Sequence, residues 1–170
     1  MTEIIRGIYR QSFGTDEPDF ENQLFECCAS KIKYYEVDGR PVSFLFALPC
    51  RIVNNGNNFA ATYIFAAATA REYRKMGYMS ALLEKVKLKA DGILILRPAN
   101  APLIDYYKKS GFIPFTATDT KKEGLYLEPL AEFKTLIDKT KAATCNGEFT
   151  AMAYNSPINL ENLYFPYSMP

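Results

Sequence analysis

At 170 residues, 48% apolar and 23% charged, the chain is long enough to bury a full core as one domain, without disulfide staples. A formal net charge of +1 with no basic run argues against nucleic acid as the main partner. No apolar run is long enough to cross a membrane and no leader pattern opens the chain, so the expectation is a cytoplasmic protein with no membrane partner. The four cysteines, Cys27, Cys28, Cys50 and Cys145, show no C-x-x-C spacing, and there is no histidine. A zinc set and a Ser-His or Cys-His nucleophile pair are therefore not expected, and the thiols read as reduced and mostly buried.

In chain order, Ile4, Ile5, Ile8 and Tyr9 form one helical stripe, with Phe13 a turn on and Gly14 as the stop. Thr15-Asp16-Glu17-Pro18 signals a second helix, with a side-chain cap, early acids and a proline in the first turn. Phe20, Leu24, Phe25 and Cys28 make its buried face, while Asp16, Glu17, Asp19, Glu21 and Glu26 read as charge on a solvated helix. Three strands follow at 31–37, 41–53 and 59–69, separated by a hairpin turn at Asp38-Gly39 and a turn-forming cluster at 54–58.

The chain is organised around 63–86. The strand ending Ala66-Ala67-Ala68-Thr69 feeds a polar turn that carries Arg71, Arg74 and Lys75 and then Gly77. Met79, Leu82, Leu83, Val86 and Ala90 then follow helical spacing on one apolar face. Such a junction suits an anion: the first N–H groups of the helix have no internal partner, the macrodipole adds positive charge, and glycine admits close approach to the backbone. Neither nucleotide glycine pattern, G-x-x-x-x-G-K-[ST] or G-x-G-x-x-G, is present. A strand at 92–98 leads into a second helix, with Asn100 as its cap, Pro102 in its first turn, Lys108 and Lys109 in its last, and Gly111 as the stop. Further on, 113–118 reads as a strand, 121–124 as a loop and 129–142 as a helix with Leu130, Phe133, Leu136 and Ile137 on one face. A strand at 149–154 precedes an extended aromatic tail at 156–170, which carries Tyr164, Phe165 and Tyr167. The tail has three destinations open to it: its own domain, a partner, or a groove.

Arg74-Lys75-Met76-Gly77-Tyr78-Met79 resembles the acyl-CoA-binding motif Gln/Arg-x-x-Gly-x-Gly/Ala of the GCN5-related N-acetyltransferases. Met79 stands where Gly or Ala is usual; it either narrows the pyrophosphate site or points into the core, and its place on the apolar face favours the core. Asn100, Tyr107, Gly111 and Phe112 are similar to the family's N-x-x-A-x-x-x-Y-x-x-x-G-F at the same spacing, with Leu103 in place of the small residue. The resemblance is good over about 31–115 and weaker at both ends. The family usually opens with a strand for which this chain has no room, although shortened members that begin on the first helix are familiar.

What the resemblance implies is an α/β fold: one domain over 1–170, with a mixed central sheet, an antiparallel N-terminal meander, splayed parallel strands and flanking helices. Acetyl-CoA would be the acyl donor, with no metal. Ala67, Ala68, Thr69, Arg74, Lys75, Met76, Gly77, Tyr78, Met79, Ser80 and Asn100 would hold it, and Tyr107 would be the acid that protonates the departing thiolate. The acceptor would be an amine on a small molecule, peptide or protein, with a homodimer left open. The acids of the second helix would border the acceptor site, which gives them a second reading as a collar for a cationic amine. The base stays open between a water chain, Glu36 or another acid, and the terminal carboxylate at Pro170. The alternative function is a non-catalytic acyl-CoA-binding sensor or scaffold of the same fold.

Overall fold

The computed structural model describes residues 1–121, 123–141 and 147–167. Helix α1 (Thr2–Phe13) buries Ile5, Ile8 and Tyr9 and ends at Gly14, whose N–H returns to the Arg10 carbonyl. Helix α2 (Pro18–Cys28) buries Phe20, Leu24, Phe25 and Cys28, as its spacing predicts. Its start differs from expectation: Glu17 sits at the N-cap and makes no side-chain cap bond. The fixed φ of Pro18 and the acids Asp19 and Glu21 in the first turn begin the helix without one. Glu21 is also not a solvated acid. It is 3% exposed and clamps α2 to α1, accepting from Arg10 Nε at 2.9 and 3.0 Å, with Arg6 at 3.5 Å.

Strands β1 (Ile32–Val37), β2 (Arg40–Asn54) and β3 (Asn57–Thr69) form the antiparallel meander. After a short turn come α3 (Tyr78–Lys89), β4 (Ile93–Leu96) and α4 (Ala101–Lys109). They are followed by β5 (Ile113–Thr118), β6 (Leu125–Pro129), α5 (Ala131–Thr140), β7 (Glu148–Tyr154) and β8 (Leu163–Tyr164). The eight strands form one mixed sheet in the order β1-β2-β3-β4-β7-β5-β8-β6, and β6 returns to pair with the C-terminal half of β2. Because side chains alternate along a strand, Phe44 and Phe46 of β2 pack under α1, α2 and α5 with Leu24, Phe25 and Phe133. Leu45 goes to the other face, beneath α3 and α4, with Leu82, Leu83, Leu94 and Phe112. Gly92 turns the chain into β4 at φ 150, where any Cβ would collide with the Ala60 carbonyl oxygen.

The C-terminal third departs most from expectation. Strand β6 was not anticipated, and the helix expected at 129–142 begins two residues later, because Pro129 lies in register with Cys50 of β2. Residues 122 and 142, Cys145 and Pro170 lie outside the described residues. Of the tail's three destinations, its described part takes the first. Strand β8 fills the slot between β5 and β6, Asn162 N–H donates to Thr116 O at 2.7 Å, and Leu160, Leu163 and Phe165 are buried. Burial pushes the thiols of Cys28 and Cys50 up to about 12. Among the described residues no helix is long and apolar enough to cross a membrane, and no group of three or more His, Cys, Asp or Glu is placed to hold a metal.

Candidate active site

Strands β3 and β4 run parallel but are paired only from Ala61–Ile93 to Ile64–Leu96. Beyond that point they part, for two local reasons. Pro98 follows one residue after β4 ends and has no N–H to continue a ladder. On β3 the register with β2 jumps from Phe46–Phe65 to Phe44–Ala68, so β3 carries one extra residue there. Ala66 within this bulge has φ 53, a left-handed conformation that costs a non-glycine residue ~1–2 kcal/mol. Strain of this kind is typical of functional sites. The edge of β3 from Phe65 to Thr69 thus faces the gap with no strand partner among the described residues. Three consecutive alanines hinted at close approach to this backbone; the bulge itself had no signal in the sequence.

The polar turn closes one end of the gap. Gly77 is the N-cap of α3 at φ 82, and the position its Cβ would take has no heavy atom within 4 Å. Tyr78, Met79 and Ser80, the first residues of α3, line a cleft beside it, and the first N–H groups of a helix have no partner within it. Arg74 holds the turn in place, donating from Nε to Thr69 O at 3.0 Å and from Nη2 to Ser12 Oγ at 3.3 Å. At the other end, Asn100 Oδ1 accepts from Leu103 N at 3.1 Å and caps α4, as expected. The far end of α4 closes with Phe112 N–H on Tyr107 O at 3.1 Å and Gly111 N–H on Lys108 O at 2.9 Å.

Between these ends lies a cleft of about 540 Å³. Ala67, Ala68, Thr69, Arg74, Lys75, Gly77, Tyr78, Met79, Ser80, Asn100 and Tyr107 all line it. Met76 does not; its side chain is 61% exposed and only its backbone belongs to the turn. Met79 is half-buried, packs on the α3–α4 core cluster and touches the cleft as well, so it answers to both of its readings. Sequence reasoning missed Ser12, Phe13, Tyr73, Ala99, Leu103 and Tyr106 as lining residues. Ser12 and Phe13 arrive from α1 with no sequence pattern linking them to a turn some sixty positions later. Tyr106 is joined to Ser80 by a 2.9 Å hydroxyl–hydroxyl hydrogen bond that ties α4 to α3.

A second cleft of about 390 Å³ is lined by Tyr63, Phe65, Leu96, Arg97 and Pro98. It shares Phe13, Ala67, Ala99, Leu103 and Tyr107 with the first, so the two meet where the strands part. Tyr107 sits at that junction, 7% exposed, its ring edge-on to Tyr106 and Phe112 at 5.2 and 5.8 Å. Burial, with a smaller contribution from Tyr106, pushes its hydroxyl up to about 12, so it holds its proton at any neutral pH. Among the described residues no carboxylate lines either cleft. Of the acids whose second reading was a collar, Glu21 is engaged with Arg10 and Glu26 lies 3.5 Å from Lys139.

The sequence pattern of the acetyltransferase (GNAT) family matches residues 1–112, two thirds of the chain and both motif regions. The chain belongs to that family. A search of curated proteins found no match to this GNAT chain. Among solved structures, it is similar to the GCN5-related N-acetyltransferase from Kribbella flavida, at 18% identity and TM-score 0.52, over 69% of this chain and 34% of that one. Its likeness to the GCN5-related N-acetyltransferase from Anabaena variabilis is 21% identity and TM-score 0.51, over 65% and 30%. The structure of histone acetyltransferase HPA2 and related acetyltransferase from Corynebacterium glutamicum matches over 93% and 92%, at 16% identity and TM-score 0.56. These likenesses show the fold, and the chain spans about a third of the length of the first structures it matches.

Two cations of the GNAT turn stand in different circumstances, which makes a prediction. Lys75 is exposed at φ 63, whereas Arg74 also braces Thr69 and Ser12. Lys75→Glu is expected to weaken CoA binding several-fold at low salt, with the deficit shrinking as salt screens the field over a Debye length of ~10 Å. Arg74→Glu should keep a part of its deficit at high salt, because the brace is lost as well. Titration calorimetry at two ionic strengths reads both; a Lys75 effect indifferent to salt would contradict a purely electrostatic role.

Proposed function

We propose that the protein transfers an acetyl group from acetyl-CoA to an amine by direct attack. The observation that carries this reading is the position of Tyr107, where two clefts meet in the gap between β3 and β4. In this reading the pyrophosphate lies against the N–H groups around Gly77, where the backbone is open and the helix end positive. The pantetheine arm lies along the free edge of β3 near Ala67, Ala68 and Thr69, pairing with it as an added strand would. The thioester then reaches Tyr107, with the backbone N–H groups of the bulge polarising its carbonyl.

The amine nitrogen attacks the acetyl carbon from the second cleft; the new C–N bond forms, the C–S bond breaks, nitrogen loses a proton and sulfur gains one. An alkyl amine of pKa ~10.4 is protonated in all but about one molecule in 10³ at neutral pH, so it must lose a proton before attack. The thiolate leaves beside the Tyr107 hydroxyl, which burial keeps protonated at neutral pH and so able to donate to the departing sulfur.

Two measurements test the proposal. Calorimetry is expected to show acetyl-CoA binding with a 1:1 stoichiometry, and thiol release should appear only when an amine is added. Binding without release across a broad amine panel would favour the non-catalytic reading, and no binding would remove both.

A further inference from the structure

The end of α3 remote from the phosphate turn lies over a separate cavity of about 460 Å³. Its floor is a row of side chains in register across the sheet: Pro49 of β2, Thr62 of β3 and Leu94 of β4. Its roof is Leu82 and Val86 of α3 with Ala90 at the C-cap, a four-residue spacing that puts side chains on one helix face. Ala47 and Ala90 pack on the edge of the core beneath α3 but are too small to fill the space between the two layers. Lys33 and Tyr34 of β1 form the outer wall.

Around this apolar interior stand four cations and, among the lining residues, no acid: Lys31 and Lys33 on one side, Lys85 and Lys89 on the other. Lys31 lies 3.4 Å from Glu132. The Lys85 ammonium rests 4.4 Å over the ring of Tyr35, a contact that brings no negative charge. Lys33 and Lys89 are exposed and form no ion pair among the described residues. The dipole of α3 accounts for Lys89 in its last turn, but not for Lys33 on the opposite wall.

We propose that this cavity binds a small amphipathic anion, an apolar chain or ring that ends in a carboxylate or a phosphate. The apolar body fills the space beneath α3, and the head lies among Lys33, Lys85 and Lys89. The volume falls within the ~300–1,000 Å³ usual for small-molecule sites, which are mostly apolar with a few polar groups. Lysines are point charges on flexible stems, so they accept either head without the planar fork that arginine would impose. A neutral or cationic ligand would leave these like charges uncompensated, whereas an anion relieves their repulsion. None of the lining residues belongs to either cleft at Tyr107, so this site is separate from the one proposed to hold acetyl-CoA.

The test titrates octanoate, monooctyl phosphate, octanol and acetate into the full chain by calorimetry, with and without excess CoA. Octanoate or monooctyl phosphate is expected to bind at one site, ~10-fold or more tighter than acetate, which lacks the apolar body. The same ligand should bind ~5-fold or more tighter than octanol, which lacks the charge. The tighter of the two heads identifies the source. Lys33→Gln combined with Lys89→Gln should remove the advantage over octanol, and Ala47→Leu, which fills the cavity, should weaken octanoate and octanol alike. Thermal melting reports whether each variant has kept its fold, and acetyl-CoA should bind both as it binds the wild type. Octanol binding as tightly as both anions, or anion affinity unchanged in the double lysine variant, overturns the inference. Binding that CoA competes away would place the anion in the clefts and overturns it too. A dimer in solution that the double lysine variant disperses would assign the cavity to a second copy of the chain, again against a small ligand. A failure of acetyl-CoA to bind the wild type touches only the transfer reading.

Discussion

Tyr107→Phe is expected to lower turnover by ~10²-fold or more while acetyl-CoA affinity changes little. The substitution keeps the ring, its edge contacts with Tyr106 and Phe112, and its place between the two clefts. It removes only the hydroxyl, which burial holds protonated up to about 12. If Tyr107 were merely a core aromatic, stability would move by no more than one hydrogen bond, ~1 kcal/mol, and activity would stay. The pH profile separates the two roles further. An acid that titrates near 12 contributes no limb between pH 6 and 9, so in the wild type the rise with pH across this range should belong to the amine losing its proton. Tyr107→Phe should therefore lower the profile without shifting that rise. Steady-state kinetics with a working acceptor read both quantities, and undiminished turnover would leave the transfer mechanism without its acid.

The parts of the fold that sequence made legible are those whose information is local. The meander, the α3 junction and the Asn100-to-Phe112 helix each carry their own turns, caps and stops within about twenty residues. Hairpin turns at Asp38-Gly39 and Asn55-Gly56 have positive φ at both central residues, as their composition demands. Strand β6 was invisible because it is five residues long and owes its existence to β2, some seventy positions earlier. Strand β8 is two residues long and forms only because β5 and β6 leave a slot between them. Glu21 was misread for a related reason: its helix face reads as solvated until α1 brings Arg10 and Arg6 against it.

The site divides in the same way. Arg74, Lys75, Gly77, Tyr78, Met79, Ser80, Asn100 and Tyr107 were legible as cleft residues, because the motif's spacing is itself the geometry of a strand, turn and helix, whereas Met76 points away and Leu103 and Tyr106 were missed. Ser12, Phe13 and Arg97 were not, since each enters the clefts from an element whose docking is tertiary. The bulge at Ala66 was the most consequential omission. It decides which backbone groups face the gap, and nothing about an alanine run announces a left-handed residue.

Gly77→Glu is expected to weaken CoA binding by ~10²-fold or more with the fold largely retained. The new Cβ meets no atom within 4 Å, so there is no clash to unfold the protein, and the position is exposed. Two costs remain. Holding a non-glycine residue at φ 82 costs ~1–2 kcal/mol, and part of that is offset because an acid at the N-terminus of α3 complements the helix dipole. The second cost falls on binding alone. The glutamate carboxylate competes for the same N–H groups that the pyrophosphate would use, and opposes its charge from the same open space. Gly77→Ala separates the two, because it carries the strain and little bulk without the charge. It should lose stability to a similar extent but bind CoA within ~10-fold of the wild type. Thermal melting reads the first effect and calorimetry the second. Wild-type affinity in Gly77→Glu would remove the phosphate from the start of α3, whereas equal losses in the glutamate and alanine variants would assign the effect to the conformation of the turn rather than to its charge.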